Sequence, residues 1–173
     1  QPGDRSEDYL LVLGRLVPYR RIDIAVRACT ELGLPLKVVG EGRARPQLES
    51  LAGPTVEFLG RLPDERVVEL MQCCRALLWP GLEDFGITPV EAQAAGRPVV
   101  AFAGGGSLET IVDGETGLLF PEQSVDSLKA ALRRLEHASF DRDALRRSAV
   151  RFDKTVFQSR LREYVEGVVA GAQ

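Results

Sequence analysis

From Tyr9 to Phe120 the chain repeats one rhythm: a short apolar run, a turn marked by glycine or proline, then an amphipathic stretch. The apolar runs are YLLVLG (9–14), LKVVG (36–40), VEFLG (56–60), RALLWP (75–80), PVVAF (98–102) and a short GLLF (117–120). Several are rich in β-branched residues with nearly no polar interruption, as expected of strands covered on both faces. Between them, IDIAVRACTEL (22–32), ARPQLESLA (44–52), DERVVELMQCC (64–74) and PVEAQAAG (89–96) place apolar residues at helical spacing. This alternation predicts an α/β fold: a Rossmann-like, doubly wound parallel sheet of about six strands with right-handed crossovers. After Phe120 the pattern turns purely helical, over 125–137, about 141–150 and about 154–169, which gives a helical C-terminal segment. There is no internal repeat and no low-complexity tract, so 1–173 reads as a single domain.

Composition narrows the classes. The 173 residues suffice for one ordinary core. The 45% hydrophobic and 27% charged shares are those of a globular chain, not a disordered or membrane-spanning one. A net charge of −3 gives no electrostatic reason to expect nucleic acid. No apolar run approaches the roughly 18–20 residues of a membrane span. The opening QPGDRSEDY lacks a starting Met and a signal-peptide core, and so reads as a piece of something longer. Cys29, Cys73 and Cys74 have neither CxxC spacing nor an even count, and read as buried thiols of an intracellular protein. The single histidine, His137, falls near a helix end, a surface or capping position rather than a metal site.

Doubly wound sheets bind ligands at the carboxyl ends of their strands, and the unusual residues lie there. GR (14–15) follows the first strand, GEGR (40–43) the second, GR (60–61) the third, GLEDFG (81–86) the fourth and AGGGS (103–107) the fifth. Glycine lets backbone approach a ligand closely, although short loops need it for their turns as well. GEGRAR (40–45) is not a dinucleotide fingerprint, because Arg45 stands at the third glycine and the motif follows the second strand. AGGGS lacks the Lys-Ser/Thr of a P-loop. Ser107 is expected to cap a helix over LETIV, leaving the glycine N–H groups to face the cleft.

The stretch EDFGITPVE (83–91) holds two glutamates eight apart. Thr88, Pro89 and Glu91 fit a capping box, which would explain Glu91 without any ligand. That reading leaves Glu83 and Phe85-Gly86 unexplained. A helix starting near Thr88 also offers free N–H groups and a positive dipole end to a phosphate. A carboxylate on either side could each accept a sugar diol. A nucleotide-diphosphate sugar has that layout.

At these residues the chain resembles the C-terminal, donor-binding domain of family 4 retaining glycosyltransferases of GT-B architecture. The carriers are LGRLVPYRRIDIAVRA, VVGEGRARPQLESLAG, VEFLGRLPDERVVELM, RALLWPGLEDFGITPVEAQAAGRPVVAF and GGGSLETIVDGETGLLF. The resemblance implies that Glu83 holds hydroxyls of the transferred hexose and Glu91 those of the ribose. Backbone N–H groups of Gly86, Ile87 and Thr88, beside Phe85, would meet hexose or phosphates. Arg15, next to Gly14, would pair with the diphosphate, as would Arg20, where the family usually has lysine; Arg21 is the alternative. Gly60, Arg61 and Leu62 fall where the family holds the nucleobase. Without the resemblance, Arg15, Arg20 and Arg21 could equally form a solvated loop.

The implied reaction moves a hexose from a nucleotide sugar to a glycan or lipid-linked acceptor with retention. The arginines would stabilise the leaving nucleoside diphosphate. No Asp-x-Asp motif lies at a strand end (Asp141-Arg142-Asp143 is in the helical tail), so no metal and no other cofactor is expected. LVPYRRIDIAV and EDFGITPVEAQAAGRPVVAF look most like the mannosyltransferase branch of surface-polysaccharide synthesis, which favours GDP-mannose, with UDP-glucose next. A second, N-terminal Rossmann domain for the acceptor is expected in the same or another chain, leaving 1–173 poorly active alone. The resemblance further implies a cytoplasmic place, peripheral to the inner membrane at most. A nucleotide-sugar 2-epimerase, a glycogen phosphorylase-like enzyme and a non-catalytic sugar-nucleotide module share the architecture.

Overall fold

The computed structural model describes residues 7–171. The first six residues, which contribute to the reading of an incomplete start, lie outside them. Six strands alternate with helices: β1 (Leu10–Leu13), α1 (Ile22–Leu32), β2 (Leu36–Val39), α2 (Arg45–Leu51), β3 (Val56–Gly60), α3 (Asp64–Cys73) and β4 (Ala76–Trp79). There follow α4 (Ile87–Ala94), β5 (Val99–Phe102), a single turn α5 (Ser107–Thr110), β6 (Gly117–Phe120), α6 (Val125–His137), α7 (Arg142–Val150) and α8 (Lys154–Gly171). The strands form one parallel sheet in the order β3-β2-β1-β4-β5-β6. The Rossmann-like expectation is borne out.

Burial on both faces explains the unbroken apolar strands. Leu10 and Val12 of β1 enter one core with α1, α2 and α6, whereas Leu11 enters the other with α3 and α4. On the first face, α6 buries Leu128, Ala131, Leu132 and Leu135, the spacing of one helical stripe, and its N-cap Ser124 accepts from the Ser127 N–H. On the second, α7 lies against α4 and buries Leu145 and Ala149. Buried Arg97 satisfies the C-terminal end of α3 by donating from Nε to the Gln72 carbonyl at 2.6 Å. Among the described residues no helix is long and apolar enough to cross a membrane.

His137 is the last residue of α6, as its sequence position implies. Of the cysteines, Cys29 and Cys74 are buried, and burial pushes each thiol up to about 12. Cys73, at the end of α3, is only half-buried, which corrects the expectation of three buried thiols. A thiol-specific disulfide reagent at pH 8 should therefore modify one cysteine rapidly in the native chain and three in denaturant. Rapid native reaction of all three would contradict the packing around Cys29 and Cys74.

Candidate functional site

Strand order reverses direction between β1 and β4, and the loops leaving these two strands part to form a crevice. After β1 the chain makes a 3-10 turn over Pro18–Arg20 that carries Arg20 across to the end of β4. The Arg20 guanidinium lies 5.0 Å from the centroid of the Trp79 ring. Its Nη2 is 3.3 Å from Glu83 Oε1, with both side chains about one-fifth exposed (21% and 22%). Glycines make room for it. A Cβ at Gly14 would stand 2.6 Å from Arg20 Nη1, and one at Gly81 would stand 2.8 Å from the Arg20 Cα. Arg20 Nε, Trp79 Nε1 and Glu83 Oε1 are buried polar atoms that make no hydrogen bond. These three side chains line a cavity of 10 Å³, about the room one water needs.

Backbone sends the two adjacent arginines in different directions. Arg21 adopts the left-handed conformation (φ 49°) at the start of α1 and turns its guanidinium to Asp23, with Nε 3.1 Å from Oδ1. Arg20, not Arg21, reaches the crevice. Arg15 is exposed, and the structure does not bring its guanidinium against Arg20 or Glu83.

Helix α4 begins at Ile87, and its N-cap is Gly86 (φ 81°), with no side chain capping it. The expected capping box is not formed. The left-handed glycine turns the chain into the helix early, so that Thr88 is its second residue and Glu91 its fifth, beyond reach of the cap. Pro89, third in the helix, still falls among the N–H positions that have no intrahelical partner. The helix thus presents a bare N-terminus beside Glu83. Glu91 is exposed and lines a groove of about 570 Å³ between α3 and α4, shared with Asp64, Val67, Val68 and Met71. Asp64 opens α3 directly after the loop carrying Arg61, which is exposed, and Leu62, which is half-buried. Gly60 (φ 67°) accepts from the Gly40 N–H at 2.8 Å and sets the start of that loop. The Phe85 and Ile87 side chains turn elsewhere. Phe85 meets Phe152 edge-on at 5.4 Å, and Ile87 lines a second groove with Val90, Arg146 and Phe152.

The glycine-rich loops serve differently from the expectation. Gly106 N–H donates to the Glu83 carbonyl at 2.9 Å, and Gly104 N–H to the Phe102 carbonyl at 2.9 Å, so these two donors are taken within the protein. A Cβ at Gly105 would lie 2.2 Å from the Glu83 carbonyl oxygen, and one at Gly106 would lie 2.3 Å from that of Phe85. Likewise a Cβ at Gly40 would lie 1.9 Å from the Gly14 carbonyl oxygen, and one at Gly42 would lie 2.2 Å from that of Leu16. These glycines let neighbouring strand-end loops touch backbone to backbone. Ser107 is the first residue of α5 and not its cap, which is Gly106. The Asp141-Arg142-Asp143 run is a helix start, where the Asp143 N–H donates to Asp141 Oδ1 at 2.9 Å. Among the described residues no three His, Cys, Asp or Glu side chains converge in a way that would hold a metal ion.

Sequence reasoning missed Trp79. It was visible as the chain's one tryptophan, at the end of a strand opposite the first loop, but nothing local says that Arg20 lies on it.

A parallel sheet with its switch-point crevice, a cation–carboxylate pair and a bare helix N-terminus defines a class of fold and site that sequence comparison narrows to a family. The chain matches the family described as Glycosyl transferases group 1 over residues 2–152. It belongs to that family, and the expected GT-B kinship is borne out. A D-inositol 3-phosphate glycosyltransferase of Nocardia farcinica is 34% identical over 180 aligned positions, covering 87% of this chain and 39% of that protein. The alpha-1,3/1,6-mannosyltransferase ALG2 of Dictyostelium discoideum is 54% identical over 50 residues, 29% of this chain and 12% of that protein. Among solved structures, the lipopolysaccharide outer core galactosyltransferase WaaB in apo form superposes with a TM-score of 0.84 at 19% identity. That match covers 96% of this chain and 51% of that one, and shows the shared fold. The chain thus spans well under two thirds of the length of each of these relatives.

The backbone contact at Gly105 yields a controlled test. Gly105→Ala and Gly114→Ala both place a side chain at positive φ (56° and 83°), but Gly114 faces open space. Urea unfolding should show Gly114→Ala costing about 1 kcal/mol and Gly105→Ala about 2–4 kcal/mol. Equal costs would mean that the loops tolerate separation.

Proposed function

We propose that this chain is the nucleotide-sugar-binding domain of a retaining hexosyltransferase, with an acceptor-binding N-terminal Rossmann domain supplied in cis or in trans. The observation that carries it is the convergence of Arg20, Glu83 and the bare α4 N-terminus at the switch point, beside a groove that runs from Glu91 to the start of α3. An anion with hydroxyl-bearing groups on both sides matches that layout.

In this reading the diphosphate lies against Arg15, Arg20 and the N–H groups of Gly86, Ile87 and Thr88, with Gly14 permitting close approach. Glu83 accepts from hydroxyls of the hexose, and Glu91 accepts from the ribose. The nucleobase rests on the backbone of Gly60, Arg61 and Leu62. From β3 to β4 is three strand spacings, about 14 Å, so these groups bind one elongated ligand rather than a compact one. As the sugar–phosphate bond breaks, negative charge grows on the leaving diphosphate. In this reading the guanidinium groups of Arg15 and Arg20 and the dipole of α4 offset that charge. They do the work a divalent cation does elsewhere, so transfer proceeds without metal. Glu83 positions the hexose. The donor is GDP-mannose, in keeping with the local likeness to a mannosyltransferase, and the acceptor is a glycan or lipid-linked chain. The isolated domain binds donor without transferring it efficiently.

Calorimetric titration of the chain with GDP, UDP, GDP-mannose and UDP-glucose, in the presence of a chelator, tests this. Guanine nucleotides should bind, and Glu91→Ala and Arg15→Ala should each weaken them about tenfold, the value of one charge-assisted hydrogen bond. Preference for uracil nucleotides would replace GDP-mannose by UDP-glucose. Silence from all four with the chain folded would refute the donor-site assignment.

A further inference from the structure

We propose that Trp79 is a positioning residue of the donor site, fixing the Arg20 guanidinium relative to the N-terminus of α4. This rests on the assignment of Arg20 to the diphosphate. Trp79 ends β4 and is 6% exposed. Its ring lies 5.0 Å from the Arg20 guanidinium carbon, within the range where the negative face of an aromatic attracts a cation. Burial removes the competing water and strengthens that attraction. Gly14 lies against the Arg20 guanidinium, and Gly81 lies against the Arg20 backbone. The guanidinium is thereby confined to a slot with aromatic, backbone and Glu83 walls.

The other edge of the same indole reaches the helix. Its Nε1 lies 3.4 Å from where a Cβ of Gly86, the N-cap of α4, would stand, and it makes no hydrogen bond. One rigid side chain therefore touches both halves of the anion site, the cation by its face and the helix cap by its N–H edge. A residue present only to fill the core would be served by leucine, as Leu77 and Leu78 serve two residues and one residue earlier, and would not bury a donor without a partner. The contact also gives a reason for arginine at position 20. A planar guanidinium can lie on the ring and keep its edge for phosphate oxygens, whereas a lysine ammonium has no plane to stack.

The test uses the whole 173-residue chain with UDP and GDP set against UMP and GMP. Trp79→Leu should weaken the diphosphates about tenfold and leave the monophosphates within about twofold. Trp79→Phe, which keeps an aromatic face, should recover most of the loss. Combined with Arg20→Ala, Trp79→Leu should add no further loss, because it acts through Arg20. As the sole tryptophan, Trp79 supplies a second readout that needs no change at position 79. Diphosphate should shift its emission in the native chain and not in Arg20→Ala. Equal weakening of mono- and diphosphates, additive losses, or emission indifferent to saturating diphosphate would each overturn the positioning role alone. A native chain that binds none of the four nucleotides would instead overturn the donor-site assignment, and this role with it.

Discussion

Two register pairs, Leu10 with Ala76 and Leu11 with Leu77, join β1 to β4, and every feature of the crevice depends on this junction. The partners come from opposite ends of a long excursion through β2 and β3, so their meeting carries the loop-closure entropy of more than sixty residues. Leu10, Leu11, Ala76 and Leu77 are all buried, and apolar burial on both faces offsets that cost. Because the chain leaves β1 in one direction and β4 in the other, the loops beyond them must diverge. Arg20 and Glu83 are neighbours only because of this pairing.

Around the junction, rigidity comes from short-range backbone contact as much as from side-chain packing. Gly40 and Gly42 bring the loop after β2 onto the loop after β1, while Gly105 and Gly106 bring the loop after β5 onto the one after β4. Buried Gln93 adds a tie from α4 to α5 by donating to the Thr110 carbonyl at 2.8 Å. The polar groups that face the crevice therefore sit on loops held from both sides. Arg20 and Glu83 neutralise one another across 3.3 Å. An anion alone would win Arg20 and strand Glu83 beside negative charge. A ligand that brought both an anion and hydroxyl donors would satisfy the two at once.

Much of this was legible in the residues. Unbroken runs such as LLVL and ALLW read as strands buried on both faces, and the stripe of Leu128, Ala131, Leu132 and Leu135 as one side of a helix. That Glu83 and the arginines of the first loop lie at neighbouring strand ends was legible, but not that Arg20 pairs with Glu83. Arg20 and Arg21 are adjacent and chemically identical, and the left-handed turn at Arg21 that separates their fates is a tertiary outcome. The start of α4 was misplaced because Thr-Pro-Val-Glu carries a strong local cap signal, which the positive φ of Gly86 overrides. The three glycines at 104–106 suggested a ligand cradle by composition. Their reason is the proximity of Glu83 and Phe85 backbone, which no local pattern encodes. Phe85 looked like a cleft residue until Phe152, more than sixty positions on, supplied its partner.

The glycine contacts also divide the cleft into parts that can and cannot drift. Where backbone touches backbone at 40, 42, 105 and 106, any side chain forces two loops apart, so these positions are closed to gradual substitution. The walls of the groove at Val67, Val68 and Ala94 carry no such burden and can change size one methylene at a time. A lineage, or a library, that reshapes the groove is channelled onto the facing surfaces of two helices, while the strand-end loops stay as they are. The steric room for change thus lies laterally, along the helix walls, and not at the strand tips.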